Sequence, residues 1–433
     1  MKTPPTGSRP GKPRALLVVP IWPAPSGNGV AMRAFLHLSA LARDHRVDIW
    51  CIPVAGAQPG PRHHHGAVER SAIAELEVDP GWVLASRAGA DALLRLGRPS
   101  ACRFTAHRAV AELRRGFGPL EYRCVLVYRS YLLPFVEAAE QTPGSLGFRI
   151  VDLDDDEATT RRRLAELDLD AASSDRQRLE AELFERFEAR HLPWAHRLLA
   201  AQEPHAERLR GHFHDVDVDV VPNAVDVPRG DPPIRPVHSG TPDRLHLLLV
   251  GTLSYLPNRA AALELALEVV PRLQGAGLGV HLRIIGRRPP ADVARLAELE
   301  GVEVLADCRD LGPHYAWAHQ TVVPLRAGGG TRIKILEAFA AGVPVVATAM
   351  AADGLRVEHG DQLLLAESPD ALAAEALRLH RSPDLAGRLA RSASGWVRRH
   401  HDRRRVANRL ADRIDGAVER SSGGPPPEAT DPS

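Results

Sequence analysis

The sequence predicts an α/β protein made of two doubly wound, Rossmann-like domains that face each other across a cleft. Short apolar runs, typical of buried strands, alternate with amphipathic segments of helical length along most of the chain. A proline-rich stretch, residues 226–244, interrupts this alternation near the middle. Glycine-bearing loops follow several predicted strands, at the strand ends where doubly wound sheets bind their ligands.

The length and composition indicate a globular protein of more than one domain. The chain has 433 residues, which is more than one ordinary hydrophobic core accommodates, so two or three domains are expected. Hydrophobic residues make up 44% and charged residues 25% of the sequence, as is usual for a soluble globular protein. The formal net charge of +1 argues against general electrostatic binding to nucleic acid, so no nucleic-acid partner is expected.

The cysteines and the apolar runs point to the cytoplasm. Cys51, Cys102, Cys124 and Cys308 are widely spaced and form no C-x-x-C pair, which is typical of reduced thiols. The basic, proline-rich N-terminal segment lacks the apolar core of a secretory signal, and no apolar run approaches the ~20 residues that span a bilayer. We therefore expect a cytoplasmic protein. Peripheral association with the inner face of a membrane stays open, as does the oligomeric state.

The N-terminal domain is expected to span residues 14–225, after a disordered proline-rich tail at residues 1–13. Its first strand is followed by a glycine-bearing loop and by a helix near Met32–Arg43, whose apolar residues recur at helical spacing. The predicted strands of this domain are Ala15–Pro20, Val47–Pro53, Cys124–Tyr128, Arg149–Leu153, Arg197–Ala201 and Val218–Val221.

The C-terminal domain is expected to span residues 245–420, after a linker at 226–244 and before a second disordered tail at 421–433. An amphipathic helix is predicted at Arg259–Leu273, and strands that alternate with helices indicate parallel sheets with crossover helices. The last helix could pack back on the N-terminal domain. The predicted strands are Leu245–Val250, His281–Ile285, Val302–Leu305, Thr321–Pro324, Val343–Thr348 and Gln362–Leu365.

A run of three glycines is the strongest functional signal in the sequence. Gly328, Gly329 and Gly330, followed by Thr331, are expected to open a helix that Gly342 closes. Glycines at a helix N-terminus leave backbone N–H groups unblocked at the positive end of the helix dipole, which favours a phosphate group. The loop therefore predicts a phosphate-binding site.

The predicted helix after the glycines carries two cations and a carboxylate. Arg332 and Lys334 can neutralise further negative charge, and Glu337 can accept hydrogen bonds from sugar hydroxyls. The alternative is a helix cap with Lys334 and Glu337 paired on a solvated face, although a cap does not need three glycines. The segment thus predicts a site for a phosphate joined to a sugar.

Three other loops follow predicted strands and would face the same cleft. The first and second glycine-bearing loops can contact a phosphate or an acceptor, but each can also be a plain turn or helix cap, with Asn258 as one N-cap. The third loop ends its strand with a Gly-Arg pair. The residues concerned are Gly27, Asn28 and Gly29, then Gly251, Thr252 and Asn258, then Gly286 and Arg287.

An acidic cluster, residues 152–157, ends a predicted strand of the N-terminal domain. Such a cluster can bind a divalent cation or act as a general base, or it can cap the following helix. Asp155 or Asp156 is expected only to cap. The arginines at 161–163 are expected on a solvated face, and the three histidines at 63–65 in a solvated loop, so no metal site is predicted.

The block GGGTRIKILEAFAAGVPVVAT…DGL, Gly328–Leu355, closely resembles the donor-site motif of GT-B glycosyltransferases of the group 1 type, also called family 4. VPNAVD at Val221–Asp226 is similar to the VPNGVD of that family at the domain boundary. VGTLSYLPN, IIGRRP, VDLDDDEA and PSGNG resemble segments of one sugar-transferase branch. The resemblance covers nearly the whole chain between the tails.

The resemblance implies a GT-B fold and a retaining, hexosyltransferase-like activity with a nucleotide diphosphate-sugar donor and no required cofactor or metal. It implies a role in polysaccharide or glycoconjugate biosynthesis. The donor sugar and base stay open, with uridine and guanosine diphosphates the usual candidates. The acceptor, whether glycan, lipid or small metabolite, also stays open.

The resemblance assigns roles to individual residues. Glu337 matches the second glutamate of the E-x7-E motif, whereas the first falls on Gly329. Thr252 and Asn258 stand where the family usually has two cations, and Arg332 and Lys334 would supply that charge. Asp154 stands where the N-terminal domain usually has a histidine near the reacting centre.

The implied mechanism places the donor diphosphate on the glycine amides. Arg332 and Lys334 would stabilise the departing diphosphate, and Glu337 would orient the ribose or the sugar. Asp154 would help to deprotonate the acceptor hydroxyl or would only position it. Two other functions stay open: a nucleotide-sugar epimerase or hydrolase, and a non-catalytic scaffold with a degenerate donor site.

Overall fold

The computed structural model describes residues 12–54, 66–79, 97–140, 142, 144–167, 170–230, 244–308, 310–329 and 332–422. Several features of the sequence lie outside these residues. They are the three histidines at 63–65, most of the predicted linker, Gly330 and Thr331, and most of both predicted tails.

The strands of the N-terminal half are β1 (Arg14–Val19), β2 (Arg46–Cys51), β3 (Val68–Ile73), β4 (Glu77–Val78), β5 (Phe104–Thr105), β6 (Cys124–Tyr128), β7 (Phe148–Asp154), β8 (Arg197–Ala200) and β9 (Asp217–Val220). Within the described residues, seven of them form one parallel sheet in the order β3-β2-β1-β6-β7-β8-β9. Strands β4 and β5 pair separately and antiparallel. Strand β3 was not predicted, because this edge strand alternates partly buried and exposed side chains and lacks an apolar run.

The helices of this half are α1 (Gly29–Asp44), α2 (His107–Phe117), α3 (Leu133–Ala139), α4 (Glu157–Ala165), α5 (Ala171–His191) and α6 (Glu203–His212). Short 3-10 turns occupy Ser100–Cys102, Ser130–Leu132 and Leu192–Trp194. Helix α1 begins at Gly29 because the side chain of Asn28 accepts a hydrogen bond from the N–H of Val30, which caps its first turn.

The strands of the C-terminal half are β10 (Arg244–Thr252), β11 (Gly279–Arg287), β12 (Val302–Ala306), β13 (Gln320–Val323), β14 (Val345–Ala347) and β15 (Leu364–Leu365). In the described part of this half they form one parallel sheet in the order β12-β11-β10-β13-β14-β15. Both sheets reverse their strand order beside their first strand, and ligands bind doubly wound sheets at such a reversal. The prediction of two doubly wound domains is confirmed.

The helices of the C-terminal half are α7 (Leu256–Glu264), α8 (Val270–Gly275), α9 (Ala291–Ala294), α10 (Gly312–Trp317), α11 (Ile333–Ala340), α12 (Ala349–Ala352), α13 (Pro369–Arg381), α14 (Pro383–His400) and α15 (Arg403–Ser422). A π turn at Leu265–Val269 joins α7 to α8, and a 3-10 turn at Arg295–Glu298 follows α9. Among the described residues, no helix is both long and apolar enough to cross a membrane.

Each sheet is covered on both faces, which explains why its central strands are continuous apolar runs. In β1, Leu16 and Val18 belong to the core on one face, whereas Ala15 and Leu17 belong to the core on the other. The four cysteines are free thiols, as expected, and three of them are buried.

The last helix, α15, returns to the N-terminal sheet. Its side chains Leu410 and Ile414 pack in the same core as Ala15 and Leu17, and Arg43 of α1 forms an ion pair with Asp415 at 3.0 Å. The chain thus crosses between the two sheets twice. The crossings lie side by side, because the N–H of Val225 donates to the carbonyl of His401 at 2.9 Å and the N–H of Arg403 to the carbonyl of Val225 at 3.0 Å.

The described residues extend past the predicted domain boundaries, residues 14 and 420, at both ends. Lys12 donates from Nζ to the carbonyl oxygen of Arg43 at 2.6 Å, which satisfies a free carbonyl in the last turn of α1. Helix α15 continues to Ser422, beyond the predicted boundary at residue 420.

Ile414→Ala should lower the free energy of unfolding by about 2–5 kcal/mol, because Ile414 is 2% exposed between α15 and the N-terminal sheet. Ile414→Val removes one methyl group and should lower it by about 0.5–1.5 kcal/mol. Urea unfolding of the two variants and the wild-type protein measures both values. Equal stability of Ile414→Ala and wild type would contradict the packing of α15 on this sheet.

Candidate functional site

The loops after β1, β7, β10 and β13 meet where the two sheets face each other. A side-chain carbon added to Gly29 would lie 3.3 Å from Cγ1 of Ile333, at the start of α11. One added to Gly328 would lie 3.0 Å from the hydroxyl of Tyr255, which precedes α7. The structure therefore brings together the first glycine loop, the β10–α7 loop and the glycine triplet.

Gly328 has a φ of +110°, a conformation that favours glycine, and lies in a loop rather than in a helix. The prediction that the glycines open the helix is wrong, because α11 begins at Ile333 with Arg332 as its capping residue. The helix ends as predicted near Gly342, which has a φ of +70°. The N–H of Val343 then donates to the carbonyl of Ala338 at 2.9 Å.

The side chain of Arg332 folds back onto its own loop. Nη2 donates to the carbonyl of Gly328 at 2.9 Å and to that of Met350 at 3.3 Å, and Nη1 donates to the carbonyl of Gly329. The side chain is buried, and its Nε has no hydrogen-bond partner among the described residues. Burial lowers the pKa of Arg332. Arg332 therefore shapes the glycine loop and brings a positive charge to it.

Lys334 and Asn258 join α11 to the β10–α7 loop. Nζ of Lys334 donates to Oδ1 of Asn258 at 2.5 Å, and Nδ2 of Asn258 donates to the carbonyl of Thr252 at 3.0 Å. Asn258 is not an N-cap, because α7 already begins at Leu256. Burial and the charge of Arg332 together lower the pKa of Lys334 to about 7, whereas Glu337 opposes the shift.

Glu337 lies one turn further along α11 and pairs with a tyrosine rather than with Lys334. Its Oε2 accepts a hydrogen bond from the hydroxyl of Tyr315 at 3.1 Å. Burial raises the pKa of Glu337 to about 7, although Tyr315 and Lys334 oppose the shift. The alternative of a solvated Lys334–Glu337 pair is therefore wrong, and both groups lie near their titration points at neutral pH.

Gly251 and Gly286 pair across β10 and β11 and serve close packing. A side-chain carbon on Gly286 would overlap the carbonyl oxygen of Gly251, and one on Gly251 would lie 2.8 Å from Nδ2 of Asn258. Arg287 is exposed at the end of β11, and its carbonyl accepts a hydrogen bond from the N–H of Leu253 at 3.0 Å. Gly286 thus lets β11 lie close to Gly251, and Gly251 leaves room for the side chain of Asn258 in the first turn of α7.

Gly27 and Asn28 shape the start of α1. Gly27 has a φ of +94°, and Oδ1 of Asn28 accepts from the N–H of Val30 at 2.9 Å. Asn28 is therefore the N-cap of α1. Gly29 gives α1 room to approach Ile333.

Asp154, at the end of β7, is held by three donors. Its Oδ1 accepts from Nδ2 of Asn223 at 2.8 Å, and its Oδ2 accepts from the Tyr128 hydroxyl at 3.0 Å and Nη2 of Arg129 at 2.9 Å. Asp154 and Arg129 have φ values of +59° and +85°, which are strained for residues with a side chain. Such strain persists where surrounding contacts impose it, and the carboxylate of Asp154 supplies these contacts.

A buried ion pair beneath Asp154 was missed by the sequence analysis. Arg33 donates from Nε and Nη2 to both carboxylate oxygens of Asp152, at 2.7 and 2.9 Å, and both side chains are fully buried. His37 contacts the same carboxylate. Burial opposes ionisation of Asp152, but Arg33 and His37 hold its pKa well below its usual range. The spacing of Arg33 and His37, four residues apart on the apolar face of α1, was the available signal.

Asp155, Thr160 and Arg163 bring the N-terminal domain into contact with the glycine loop. A side-chain carbon on Gly329 would overlap Oγ1 of Thr160 and Oδ1 of Asp155. Nη1 of Arg163 donates to Asp353 at 2.7 Å and to the carbonyl of Gly328 at 3.3 Å. The prediction of a solvated face is therefore wrong for Arg163, and Asp155 is not a capping residue.

Asp156 is the helix cap that was predicted beside these residues. Its Oδ1 accepts a hydrogen bond from the N–H of Thr159 at 2.8 Å, which satisfies a free donor in the first turn of α4. The described residues contain no group of three or more His, Cys, Asp or Glu side chains that could hold a metal ion.

A second contact between the domains lies beside a cavity of about 390 Å³. A side-chain carbon on Gly354 would overlap the side-chain amide of Gln202. Trp396, His401 and Arg409 also line this cavity, which is therefore bounded by both domains and by the returning helices. It is separate from the glycine loop.

Comparisons with known proteins give a family for part of the chain and a fold for the whole. Residues 244–382 match the family model described as glycosyl transferases group 1. A search of curated protein sequences finds no significant match.

Solved structures resemble the chain over nearly its full length. Sucrose-phosphate synthase from Thermosynechococcus elongatus aligns with a TM-score of 0.67 at 16% identity, over 94% of this chain and 100% of that one. A UDP-forming α,α-trehalose-phosphate synthase from Burkholderia vietnamiensis aligns with a TM-score of 0.62 at 14% identity, over 95% and 99%. HepE from Anabaena, in complex with UDP and glucose, aligns with a TM-score of 0.57 at 12% identity, over 93% and 100%. At these identities the likeness is one of fold.

Asp152→Asn should lower the free energy of unfolding by about 3–5 kcal/mol, because it leaves the buried charge of Arg33 without its main partner. Since folding depresses the pKa of Asp152, its contribution is present above pH ~4 and is lost as the pH falls further. Urea unfolding at pH 7 and pH 3 measures both effects. Asp175→Asn, which alters an exposed ion pair with Arg178, is the control and should change stability by less than about 0.5 kcal/mol. A difference between Asp152→Asn and wild type that persists undiminished at pH 3 would contradict this account.

Proposed function

We propose that this chain, a glycosyltransferase with the two-domain GT-B fold and a group 1 domain at residues 244–382, moves a sugar from a nucleotide diphosphate-sugar to an acceptor hydroxyl. The transfer proceeds with retention of the anomeric configuration. The neighbour from Anabaena, whose structure holds UDP and glucose, supports the choice of donor class.

The neutral hydrogen-bond partner of the buried Lys334 is the observation that carries the proposal. Its ammonium group donates to the neutral amide of Asn258, and burial together with Arg332 lowers its pKa. Arg332 lies two residues earlier and bonds backbone carbonyls instead of a carboxylate. Among the described residues, neither cation forms an ion pair with a carboxylate, and two such cations beside the backbone at a helix N-terminus suit a diphosphate.

The mechanism follows from these positions. The diphosphate binds the backbone of the glycine loop, and Arg332 and Lys334 stabilise the charge that develops as it leaves the sugar. These cations, rather than a metal ion, neutralise the leaving group. Glu337, oriented by Tyr315, accepts hydrogen bonds from hydroxyls of the ribose or the sugar. The transition state resembles an oxocarbenium ion, and the acceptor hydroxyl approaches from the N-terminal domain.

Asp154 serves as a positioning group in this mechanism. Three donors from Tyr128, Arg129 and Asn223 already occupy its carboxylate, which is 8% exposed. It therefore fixes the end of β7 on the acceptor side of the cleft. The acceptor binds on the N-terminal side of the cleft. A screen of hydroxyl-bearing compounds would identify it.

Arg332→Ala and Lys334→Ala should each weaken binding of UDP or GDP at least about tenfold, because a hydrogen bond to a charged group contributes about 1.5–3 kcal/mol. Turnover should fall with binding. Titration calorimetry with each nucleoside diphosphate measures the loss, and Arg404→Ala, an exposed arginine of α15, is the control. Unchanged binding in both site variants would remove the diphosphate assignment. Conversion of a donor by the protein without any acceptor would favour an epimerase or hydrolase.

Titration of Lys334 should make binding of a nucleotide diphosphate-sugar tighter at pH 6 than at pH 8, by up to about tenfold. Burial holds the pKa of Lys334 at about 7, so the ammonium is half neutral in the free protein at that pH. An anion raises this pKa, so binding takes up a proton and weakens as the pH rises. Asp155 and Glu337, whose pKa values burial raises to about 7, oppose this trend, because ionisation strengthens the hydrogen bonds that they accept from hydroxyl groups of the donor.

Calorimetry of UDP-glucose and GDP-mannose at the two pH values tests this dependence, because their diphosphate diesters keep a constant charge over the range. Lys334→Arg keeps its charge at both pH values and should reduce the dependence. An identical pH dependence in Lys334→Arg and the wild-type protein would contradict the role of Lys334.

A further inference from the structure

Gly329 is the point where the N-terminal domain reaches the glycine loop of the C-terminal domain. A side-chain carbon at this position would overlap Oγ1 of Thr160 and the carboxylate of Asp155. Any side chain on Gly329 would therefore displace these two groups. The space beside the loop is filled from the opposite domain.

The Asp155 carboxyl group is held in this position from its own domain. Its Oδ1 accepts a hydrogen bond from the hydroxyl of Thr160, in the first turn of α4, at 3.1 Å. The N–H of Asp155 donates to the carbonyl of Leu153 at 2.7 Å, which fixes the backbone just after β7. Within the described residues, only Oδ1 of Asp155 takes part in a side-chain hydrogen bond, whereas both carboxylate oxygens of Asp154 accept such bonds.

The surroundings of Asp155 are those of a binding site rather than of an ion pair. Burial raises its pKa to about 7, and Glu157 and Asp154 contribute in the same direction, whereas Arg129 and Arg332 oppose the shift. Arg332 faces it across the loop, with its hydrogen bonds given to backbone carbonyls and its Nε buried without a partner among the described residues. The carboxyl group of Asp155 and the guanidinium of Arg332 thus both lie near Gly329, but they form no ion pair with each other.

We propose that Asp155 binds the sugar of the donor, as a specificity-determining carboxyl group that the N-terminal domain supplies to the donor site of the C-terminal domain. The proposal rests on the proposed function, because it assumes a nucleotide diphosphate-sugar on the glycine loop. Its chemical target is a hydroxyl group of the transferred sugar.

The negative charge of the Asp155 carboxylate favours the sugar, rather than the phosphates, as its partner in the donor. A carboxylate beside a diphosphate is repelled, whereas sugar hydroxyls donate hydrogen bonds to it. The phosphates have Arg332 and Lys334 available on the C-terminal side of the same loop. The sugar is the part of the donor that must face the N-terminal domain, because the acceptor hydroxyl arrives from there.

The arrangement makes sugar binding depend on contact between the domains. Asp155 reaches Gly329 only while α4 lies against the glycine loop, and Arg163 of the same helix holds Asp353 and the carbonyl of Gly328 there. A nucleoside diphosphate can bind the C-terminal domain without this contact. The nucleotide-sugar gains affinity from it.

Asp155→Asn tests the assignment by comparing a nucleoside diphosphate with its sugar ester. The variant preserves the shape of the side chain and removes the charge. We expect binding of UDP to stay within about twofold of wild type, and binding of UDP-glucose to weaken about tenfold, since a hydrogen bond to a charged group is lost. GDP and GDP-mannose are the second pair of probes. The wild-type protein is titrated with both pairs first, and the variants are then compared with the pair that it binds.

Two further variants provide the comparison. Thr160→Val removes the hydroxyl that orients Asp155 without changing the size of the side chain, and should weaken the nucleotide-sugar about two- to fivefold with no effect on the nucleoside diphosphate. Asp156→Asn is the matched control, because asparagine caps a helix as well as aspartate does and the neighbouring charge is removed. It should leave both affinities unchanged.

The outcomes separate this inference from the proposed function. If Asp155→Asn weakens the nucleoside diphosphate and the nucleotide-sugar equally, or neither, the sugar contact is overturned while the donor class stands. If the wild-type protein binds neither pair of nucleotides, the proposed function fails and this inference fails with it. A loss confined to the nucleotide-sugar supports the assignment.

Discussion

Gly329 lies so close to Asp155 and Thr160 that a single added carbon would overlap both, and Gly354 lies equally close to Gln202. Gly29 repeats the pattern more loosely against Ile333. At each of these points, a glycine on one domain lets the other domain approach to backbone distance. This close approach brings Asp155, Thr160 and Arg163 to the glycine loop. The set of residues in the candidate site therefore depends on the contact between the domains.

Buried charges serve two different purposes on the two sides of the cleft. In the N-terminal domain, Arg33, Asp152 and Asp154 form a saturated network that fixes the end of β7. In the C-terminal domain, Lys334 and Glu337 have only neutral hydrogen-bond partners, and burial brings the pKa values of both to about 7. The saturated network provides rigidity, and the unsaturated charges provide the capacity to respond to an anionic ligand.

The sequence predicted the sheets well because buried parallel strands are continuous apolar runs, and it missed β3, whose exposed edge removes that signal. It located the glycine loop but not the start of α11, since a triplet of glycines is equally compatible with a loop and a helix start. Contacts between distant segments were beyond it. Arg33 bonds Asp152, 119 positions away, and Arg163 bonds Asp353, 190 positions away. Local spacing can indicate that an arginine lies on a buried helix face, but it does not identify the distant residue that it bonds.

The return of α15 to the N-terminal sheet has a mechanical consequence. The outgoing and returning segments are bonded to each other at Val225 and Asp402, so the domains are connected by a paired ribbon instead of a single tether. A single tether allows one body to swivel in any direction, whereas two parallel attachments resist twisting and leave bending across the ribbon as the soft motion. The paired ribbon therefore favours a hinge-like swing between the domains over a twist of one against the other.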